Sequence, residues 1–554
     1  MSGPAAPSPA GGLVAAALAE ALPRLCAPGA SADPRLIPLF RILVAVLESG
    51  ELELDLDGPQ PEGLDPDLWP EGYLTLLENS PLAVRAESLA TAPAAPLVLA
   101  DSRLRWRRWH QQLEHTLAAL VRRASAPPPR LPTAAALAAA RAEAAAAALD
   151  PIQQQAVVTA LSQGLLLLSG GPGTGKTSTV VQLLAALLRH QAPLRFQLAA
   201  PTGKAAARLR QAIEAGCRRL PADLAAPLLE APCGTLHRLL ESGGERFRRN
   251  ARNPLALDLL VVDELSMVDL PLMAALLEAL PAACRLVLVG DPAQLAPVGP
   301  GPVLQALMAP PWRQRLGPAA VELRTTYRND GAIAAVAALL RQGGPAPMAA
   351  LTAPLQALTP ADNLRWRRAP AQQAPAAALQ ALREHQRRLA GLAQHMAAAD
   401  DDPARMGSAE RELLTALEDC VLLTPVRQGR WGVEGIHRQL LGEAAGRPLA
   451  HWPPGTPVLN QRNLPEQGLA NGDVGVLVHG GGDPSWVLFP GGRRLHPARL
   501  GLAEPALALT VHKSQGSQYG TVWLLLPPGR DWDARLLYTG LTRARERAWL
   551  ITPN

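Results

Sequence analysis

Eight consecutive residues, Gly170-Gly171-Pro172-Gly173-Thr174-Gly175-Lys176-Thr177, combine the residue types that a triphosphate needs. Glycines without side chains let successive backbone N–H groups turn inward around phosphate oxygens. A helix opening at Thr177 adds its positive N-terminal end. Lys176 can then reach the β- and γ-phosphates as a point charge, while the Thr177 hydroxyl binds Mg²⁺. Downstream, the apolar run Leu259-Leu260-Val261-Val262 ends in Asp263 and Glu264. An acid at a strand tip near such a loop suits Mg²⁺, so Asp263 joins Thr177 as a candidate metal ligand. Glu264 beside it can polarise the attacking water. A third run ends in Gly290-Asp291-Pro292-Ala293-Gln294. Gln294 offers a donor and an acceptor without charge, which lets it report a γ-phosphate. Two arginines complete the catalytic set: Arg328 after Tyr327, and Arg543 in Tyr538-Thr539-Gly540-Leu541-Thr542-Arg543. A planar guanidinium matches the spread charge of a phosphoryl group in transit. Lys176, Asp263, Glu264, Gln294, Arg328 and Arg543 therefore read as the machinery for hydrolysing a nucleoside triphosphate.

Such a loop needs a strand before it and a helix after it, and the sequence supplies both: Leu165–Leu168 and the helical pattern from Thr177 to His190. From Leu149 onward, apolar runs alternate with helical patterns. The runs are Leu165–Ser169, Phe196–Ala200, Leu257–Val262, Leu286–Gly290 and Val321–Leu323, then Val421–Thr424, Ala508–Val511, Val522–Leu526 and Trp549–Ile551. That alternation predicts an α/β architecture with parallel sheets covered on both faces. A Pro/Ala/Gln-rich stretch, about 343 to 418, reads as helical. Short strand-like runs with many glycines, Pro457 to about Pro497, read as a small β-barrel-like insertion. Residues 12 to about 124 show helical spacing, as in Leu13, Leu18 and Leu22. The proline run Ala126–Pro132 and the alanine tract Ala134 to Ala148 read as a linker with a connecting helix. The expected division is 1–125 helical, 126–148 linker, 149–345 and 346–554 α/β, with the insertion at about 450–505.

The chain has 554 residues, enough for several cores. Its net charge of +5 is compatible with an anionic partner but does not identify one. The five cysteines (Cys26, Cys217, Cys233, Cys284, Cys420) share no metal-ligand spacing and read as reduced thiols. No apolar stretch reaches transmembrane length and the N-terminus lacks a signal-peptide pattern, so a cytoplasmic location is expected.

In this order the motifs resemble superfamily 1 helicases. Gln153, in Leu149-Asp150-Pro151-Ile152-Gln153, resembles that family's adenine-reading glutamine. Its strand-contacting motifs are matched by three segments: Ala200–Arg208 with Pro201, Thr202 and Lys204; Gly234–Leu239 with Thr235 and His237; and Thr510–Gly516 with His512 and Lys513. Hydroxyls, backbone amides and a cation or two grip phosphates without reading bases. The finer resemblance is to the RecD family, the alpha subunits of exodeoxyribonuclease V. It is carried by Asp263–Asp269, Leu422–Arg427 with Trp431-Gly432-Val433, Asn471–Gly475 and Thr510–Ser517. The resemblance implies two RecA-like P-loop NTPase motor domains, an SH3-like insertion in the second, and ATP with Mg²⁺. It further implies 5′→3′ translocation on single-stranded DNA. RecB-like and RecC-like partners, acting at double-strand ends in recombinational repair, complete the implied heterotrimer, with nuclease activity in a partner subunit. Arg246–Arg249 and Asn253-Pro254-Leu255 stand where the family has a wedge-like hairpin. Pro96–Arg103 and Leu104–Trp109 resemble the end of its N-terminal, RecC-docking domain. Trp106, Trp109, Leu113, Leu117 and Leu120 follow helical spacing and predict an amphipathic helix in a core or partner interface rather than a DNA patch. Gln518 departs from the family's usual Glu, and Asp400-Asp401-Asp402 reads as a solvated turn. A stand-alone RecD-like helicase and a nucleotide-switched regulatory subunit are the alternative readings.

Overall fold

The computed structural model of the chain describes residues 8–26, 33–90, 94–191, 193–243, 246–327, 331–343, 347–398, 403–479, 485–529 and 532–554; Arg328 and the Asp400-Asp401-Asp402 run lie outside them. The largest sheet has six parallel strands in the order Ala320–Leu323, Leu165–Gly170, Arg285–Gly290, Leu259–Val262, Phe196–Ala200, Cys233–Thr235. Parallel pairing follows from helices that carry the chain back across the sheet: Lys176–Gln191, Gly203–Cys217 and Leu270–Ala279. Side chains alternate between the two faces. Leu166 and Leu168 pack with Val180, Leu184 and Leu209, whereas Leu165 and Leu167 pack with Met273 and Leu276.

The second face is shared with the helix Arg107–Ser125. Its Leu113, Leu117 and Leu120 enter the first core, Trp109 packs beside them, and Arg108 lies over the Trp109 ring at 5.4 Å. Trp106 turns away to Phe40, with ring centroids 5.9 Å apart. The predicted amphipathic helix is therefore core, and it belongs to the unit that follows it rather than to the N-terminal region. The alanine tract forms the helix Ala134–Ala146, capped by the Thr133 hydroxyl, which accepts from the Ala136 N–H. Ala140 and Ala144 are buried on the opposite face of the sheet, with Leu166 and Leu168, so this helix packs as well as connects.

A second parallel sheet runs Leu364–Ala369, Ala544–Pro553, Tyr519–Leu525, Cys420–Thr424, Ala508–Thr510. Its edge strand, Leu364–Ala369, corrects the expectation of helix throughout 343–418. The sequence Leu-Arg-Trp-Arg-Arg-Ala disguises it, because charged side chains are common on an edge strand. The helix Ala332–Arg341 places Ile333, Val336 and Leu340 in the second core, ahead of the division expected near 345.

Between Cys420–Thr424 and Ala508–Thr510 the chain builds a five-stranded antiparallel sheet. Its order is Arg493–Leu495, Trp486–Phe489, Val474–Val478, Pro457–Asn460, Ala503–Pro505. Val476, Val478 and Leu488 pack against the helices Ala376–Ala398 and Pro403–Leu417. The region before residue 107 is mixed rather than helical. Strands Glu53–Asp55, Arg103–Trp106, Leu97–Ala100 and Ala83–Arg85 form a sheet over Phe40, Leu43, Tyr73 and Leu77. Strands of three or four residues are too short to register as a period-two pattern. Leu13, one of the residues that suggested helical spacing, is 76% exposed on the helix Pro9–Cys26. Among the described residues all five cysteines are free thiols, and no helix is long and apolar enough to cross a membrane.

Placing Arg107–Ser125 in the core has a measurable consequence. Leu120→Ala should lower stability by about 2–5 kcal/mol, read as a drop in melting temperature. Arg108→Ala should leave single-stranded DNA affinity and its salt dependence unchanged. Weaker binding with a shallower salt slope would mark a DNA patch instead.

Candidate nucleotide and strand-binding cleft

The glycine loop leaves the sheet at Gly170 and enters the helix at Lys176. Gly173 and Gly175 have φ of +76° and +78°, a region that side chains disfavour, so the curl of the loop depends on them. Two neighbours brace it. Gln153, buried at the start of helix Pro151–Ser162, accepts from the Asp150 N–H (3.0 Å) and donates through Nε2 to the Thr174 carbonyl (3.1 Å). Tyr327 donates its N–H to the Gly173 carbonyl (2.9 Å) and its hydroxyl to Asp150 Oδ2 (2.8 Å). Within the loop, Thr174 Oγ1 donates to the Gly171 carbonyl (2.9 Å) and Pro172 sits in the turn between them. Lys176 Nζ donates to the carbonyls of Gly170 (2.7 Å) and Gly171 (2.8 Å), which holds the ammonium at the loop's mouth. Thr177 is half-buried in the first helical turn.

Two strands away, Val262 leads into Asp263, whose Oδ1 accepts the Glu264 N–H (2.8 Å). Desolvation, and then the neighbouring Glu264 carboxylate, push the Asp263 pKa up; Lys176 pulls it down. Glu264 adopts φ +53°, ψ +45°. A left-handed conformation at a non-glycine residue costs about 1–2 kcal/mol, so local strain sits on the residue expected to polarise water. Gln294 is 4% exposed and its Oε1 has no hydrogen-bond partner among the described residues. A buried acceptor is seldom left so. That oxygen calls for a donor such as a water, since phosphate oxygens are themselves acceptors, while the glycine loop and the hard oxygen ligands of Thr177 and Asp263 fit a triphosphate and Mg²⁺.

The second unit closes on this site through the segment after Gly290. The buried Tyr538 hydroxyl donates to Asp291 Oδ2 (2.7 Å). Leu295 donates its N–H to Thr539 Oγ1 (2.9 Å) and accepts at its carbonyl from Gln515 Nε2 (3.3 Å), and its side chain lies in the second core. Arg543 is 3% exposed, with Nε donating to the Thr539 carbonyl (3.1 Å) and Nη1 to that of Ser517 (3.3 Å). Arg208 of the first unit donates to the Gln518 carbonyl (3.3 Å).

The strand-contacting candidates lie at the ends of parallel strands. Pro201 and Thr202 follow Phe196–Ala200, and Thr235 ends the neighbouring Cys233–Thr235. Thr202 and Thr235 cap the helices Gly203–Cys217 and Leu236–Leu239, accepting from the N–H groups of Ala205 and Arg238 (3.2 Å each). In the second unit Thr510 accepts from the Lys513 N–H (3.3 Å). The Lys204 ammonium lies 5.8 Å from the Tyr519 ring, and Lys513 pairs with Glu504. His512 is exposed, and the His237 ring is 5.9 Å from Phe247. Sequence reasoning missed Asp291, Leu295, Gln515, Tyr327 and Tyr538 as working residues, though all five stand in or beside the quoted motifs.

A model of the AAA domain matches residues 153–300, and one of the UvrD-like helicase C-terminal domain matches residues 505–551. The RecBCD enzyme subunit RecD of Mycolicibacterium smegmatis is 40% identical over 424 residues, 72% of this chain and 70% of that protein. That of Mycobacterium tuberculosis is 35% identical over 551 residues, 95% of this chain and 89% of the relative. The chain belongs to the RecD family. It is an ATP-dependent DNA helicase with a P-loop nucleotide site. The ATP-dependent RecD2 DNA helicase of Deinococcus radiodurans, also similar, is 32% identical over 412 residues, 71% of this chain and 48% of its own length.

In this RecD-family site Gly175→Ala should abolish ATP turnover, since a Cβ there would stand 2.5 Å from Gln153 Nε2 on a backbone at φ +78°. Lys176→Ala should do so with no change in melting temperature. Steady-state ATPase assays and thermal melts check both, and ATP turnover surviving in Lys176→Ala would exclude the loop as the site.

Proposed function

We propose that this RecD-family helicase translocates 5′→3′ on single-stranded DNA. We place it in a heterotrimer with RecB-like and RecC-like subunits in the cytoplasm, acting at double-strand ends in recombinational repair. The observation that carries the motor reading is the double hold on Asp291–Leu295. The segment continues from the catalytic sheet at Gly290 and is hydrogen-bonded into the second unit at both Asp291 and Leu295. A relative covered over 89% of its length and named as a RecBCD subunit supports the complexed form over the stand-alone one. The two parallel sheets are read as RecA-like motors, the antiparallel insertion as SH3-like, and the mixed N-terminal region as the RecC-facing surface. The turn bridged by Ser242–Phe247 and Asn250–Asn253 is read as the wedge.

On this reading, ATP lies between the loop and the second unit, with Gln153 and its remaining Nε2 hydrogen facing the base. Thr177 and Asp263 hold Mg²⁺, which when bound neutralises charge on the phosphate oxygens. Lys176 binds the outer phosphates and Glu264 orients and deprotonates the attacking water. Gln294 senses the terminal phosphate. Arg328 and Arg543 stabilise the charge that develops during transfer. A shift at Gln294 is passed through Leu295 to Thr539 and Gln515, and so to the second sheet. The grip of Pro201, Thr202, Lys204, Thr235 and His237 then alternates with that of Thr510, His512 and Lys513. The contacts are to phosphate, so movement is independent of base sequence.

Purified chain with ATP and Mg²⁺ should unwind duplexes carrying a 5′ single-stranded tail, and not those with a 3′ tail. Lys176→Ala should unwind neither. Unwinding from the 3′ tail would reverse the polarity, and DNA-independent ATP turnover without unwinding would replace the motor with a nucleotide switch.

A further inference from the structure

One cation at the glycine loop belongs to none of the motifs. Arg341 ends the helix Ala332–Arg341, whose Ile333, Val336 and Leu340 are anchored in the second core. Its guanidinium nonetheless reaches the first unit. A Cβ built on Gly171 would lie 3.1 Å from Arg341 Nη1 and 3.1 Å from the Tyr538 hydroxyl. Nη2 of the same arginine donates to Glu322 Oε1 at 3.3 Å. Glu322 belongs to the edge strand Ala320–Leu323 and is in register with Ser169, just ahead of the loop. Arg324 stands on the other carboxylate oxygen at 3.6 Å, so Glu322 keeps a partner if Arg341 leaves.

The place of this guanidinium along a bound triphosphate follows from Lys176. In such loops the backbone amides cradle the inner phosphates and the lysine reaches the outer ones. Lys176 Nζ is bonded to the Gly170 and Gly171 carbonyls, so Gly171 marks the outer-phosphate end. Lys176 and Arg341 therefore converge there from two different units. A diphosphate ends short of this point.

We propose that Arg341 is a terminal-phosphate sensor acting across the cleft: it rests on Glu322 and exchanges that carboxylate for the γ-phosphate of ATP. The exchange replaces one charge-assisted bond by another, so its cost is small and its direction is set by the nucleotide. Because Arg341 ends a helix rooted in the second core, the phosphate it contacts pulls on the second unit directly. This path is separate from the one through Gln294 and Leu295. The inference rests on the ATP site proposed above.

The test compares binding of Mg·AMP-PNP and Mg·ADP by the full chain in titration calorimetry. Arg341→Ala should lose about tenfold or more in AMP-PNP affinity while ADP affinity stays within about twofold. Glu322→Gln should move the other way and tighten AMP-PNP, because it releases the guanidinium from its resting carboxylate. Arg341→Lys should keep part of the preference. A purely structural ion pair would make Arg341→Ala and Glu322→Gln behave alike; that result, or equal losses for both nucleotides, would overturn the proposal. Failure of the wild-type chain to bind either nucleotide, or of Lys176→Ala to weaken binding, would instead remove the ATP site itself.

Discussion

Leu295 commits its side chain, its N–H and its carbonyl to the second unit, one residue after Gln294 and four after Asp291. A buried backbone group that loses its partner costs about 1–3 kcal/mol. Pulling Leu295 free would orphan two such groups and expose a leucine. The segment therefore travels with the second unit, while its other end is continuous with the central strand Arg285–Gly290. A change in the angle between the two sheets is therefore felt between Gly290 and Leu295, as it is at the bonds of Arg208 and Arg341 across the cleft. Gln294 and Asp291 lie inside that short stretch.

Parallel topology sets where the chemistry collects. In a sheet whose strands all run one way, every strand delivers its C-terminal loop to the same edge, which is where α/β folds bind ligands. The glycine loop, Asp263, Asp291, Thr202 and Thr235 all leave the first sheet at that edge. Helices covering both faces keep the strands dry, so the edge is the place for charge. Burial first, and then the adjacent Glu264 carboxylate, raise the pKa of Asp263 at that edge.

The parts legible in the sequence are those in which a few adjacent residues do the work. The glycine loop could be read because its turn, its cation and its hydroxyl are contiguous. Strands such as Leu165–Gly170 and Arg285–Gly290 could be read because burial on two faces leaves an unbroken apolar run. Harder to read were features decided by distant partners. The stripe on Arg107–Ser125 announced an amphipathic helix, but not that its core would be the first sheet. Leu364–Ala369 needed Ala544–Pro553 beside it to become a strand. Gln153 was read as a base contact, and only the fold shows its oxygen and one Nε2 hydrogen bracing Asp150 and Thr174. Arg341 carries no local signal at all, since it becomes notable only when the second unit brings it over Gly171.

Five described cations of the cleft share a further property. Lys176 rests on two carbonyls, Arg543 on two more, Arg341 on Glu322, Lys513 on Glu504, and Lys204 lies near the face of Tyr519. A cation in a partly dry site with no partner would be expensive, and it would bind the first anion to arrive too tightly to release it. With internal partners in place, a phosphate must replace a bond rather than satisfy a bare charge, so the net gain per contact is modest. Tight binding then demands several contacts at once, which a triphosphate or a strand of successive phosphates can make and a single small anion cannot. A helicase that must release its spent nucleotide depends on that balance, and internally paired cations suit it.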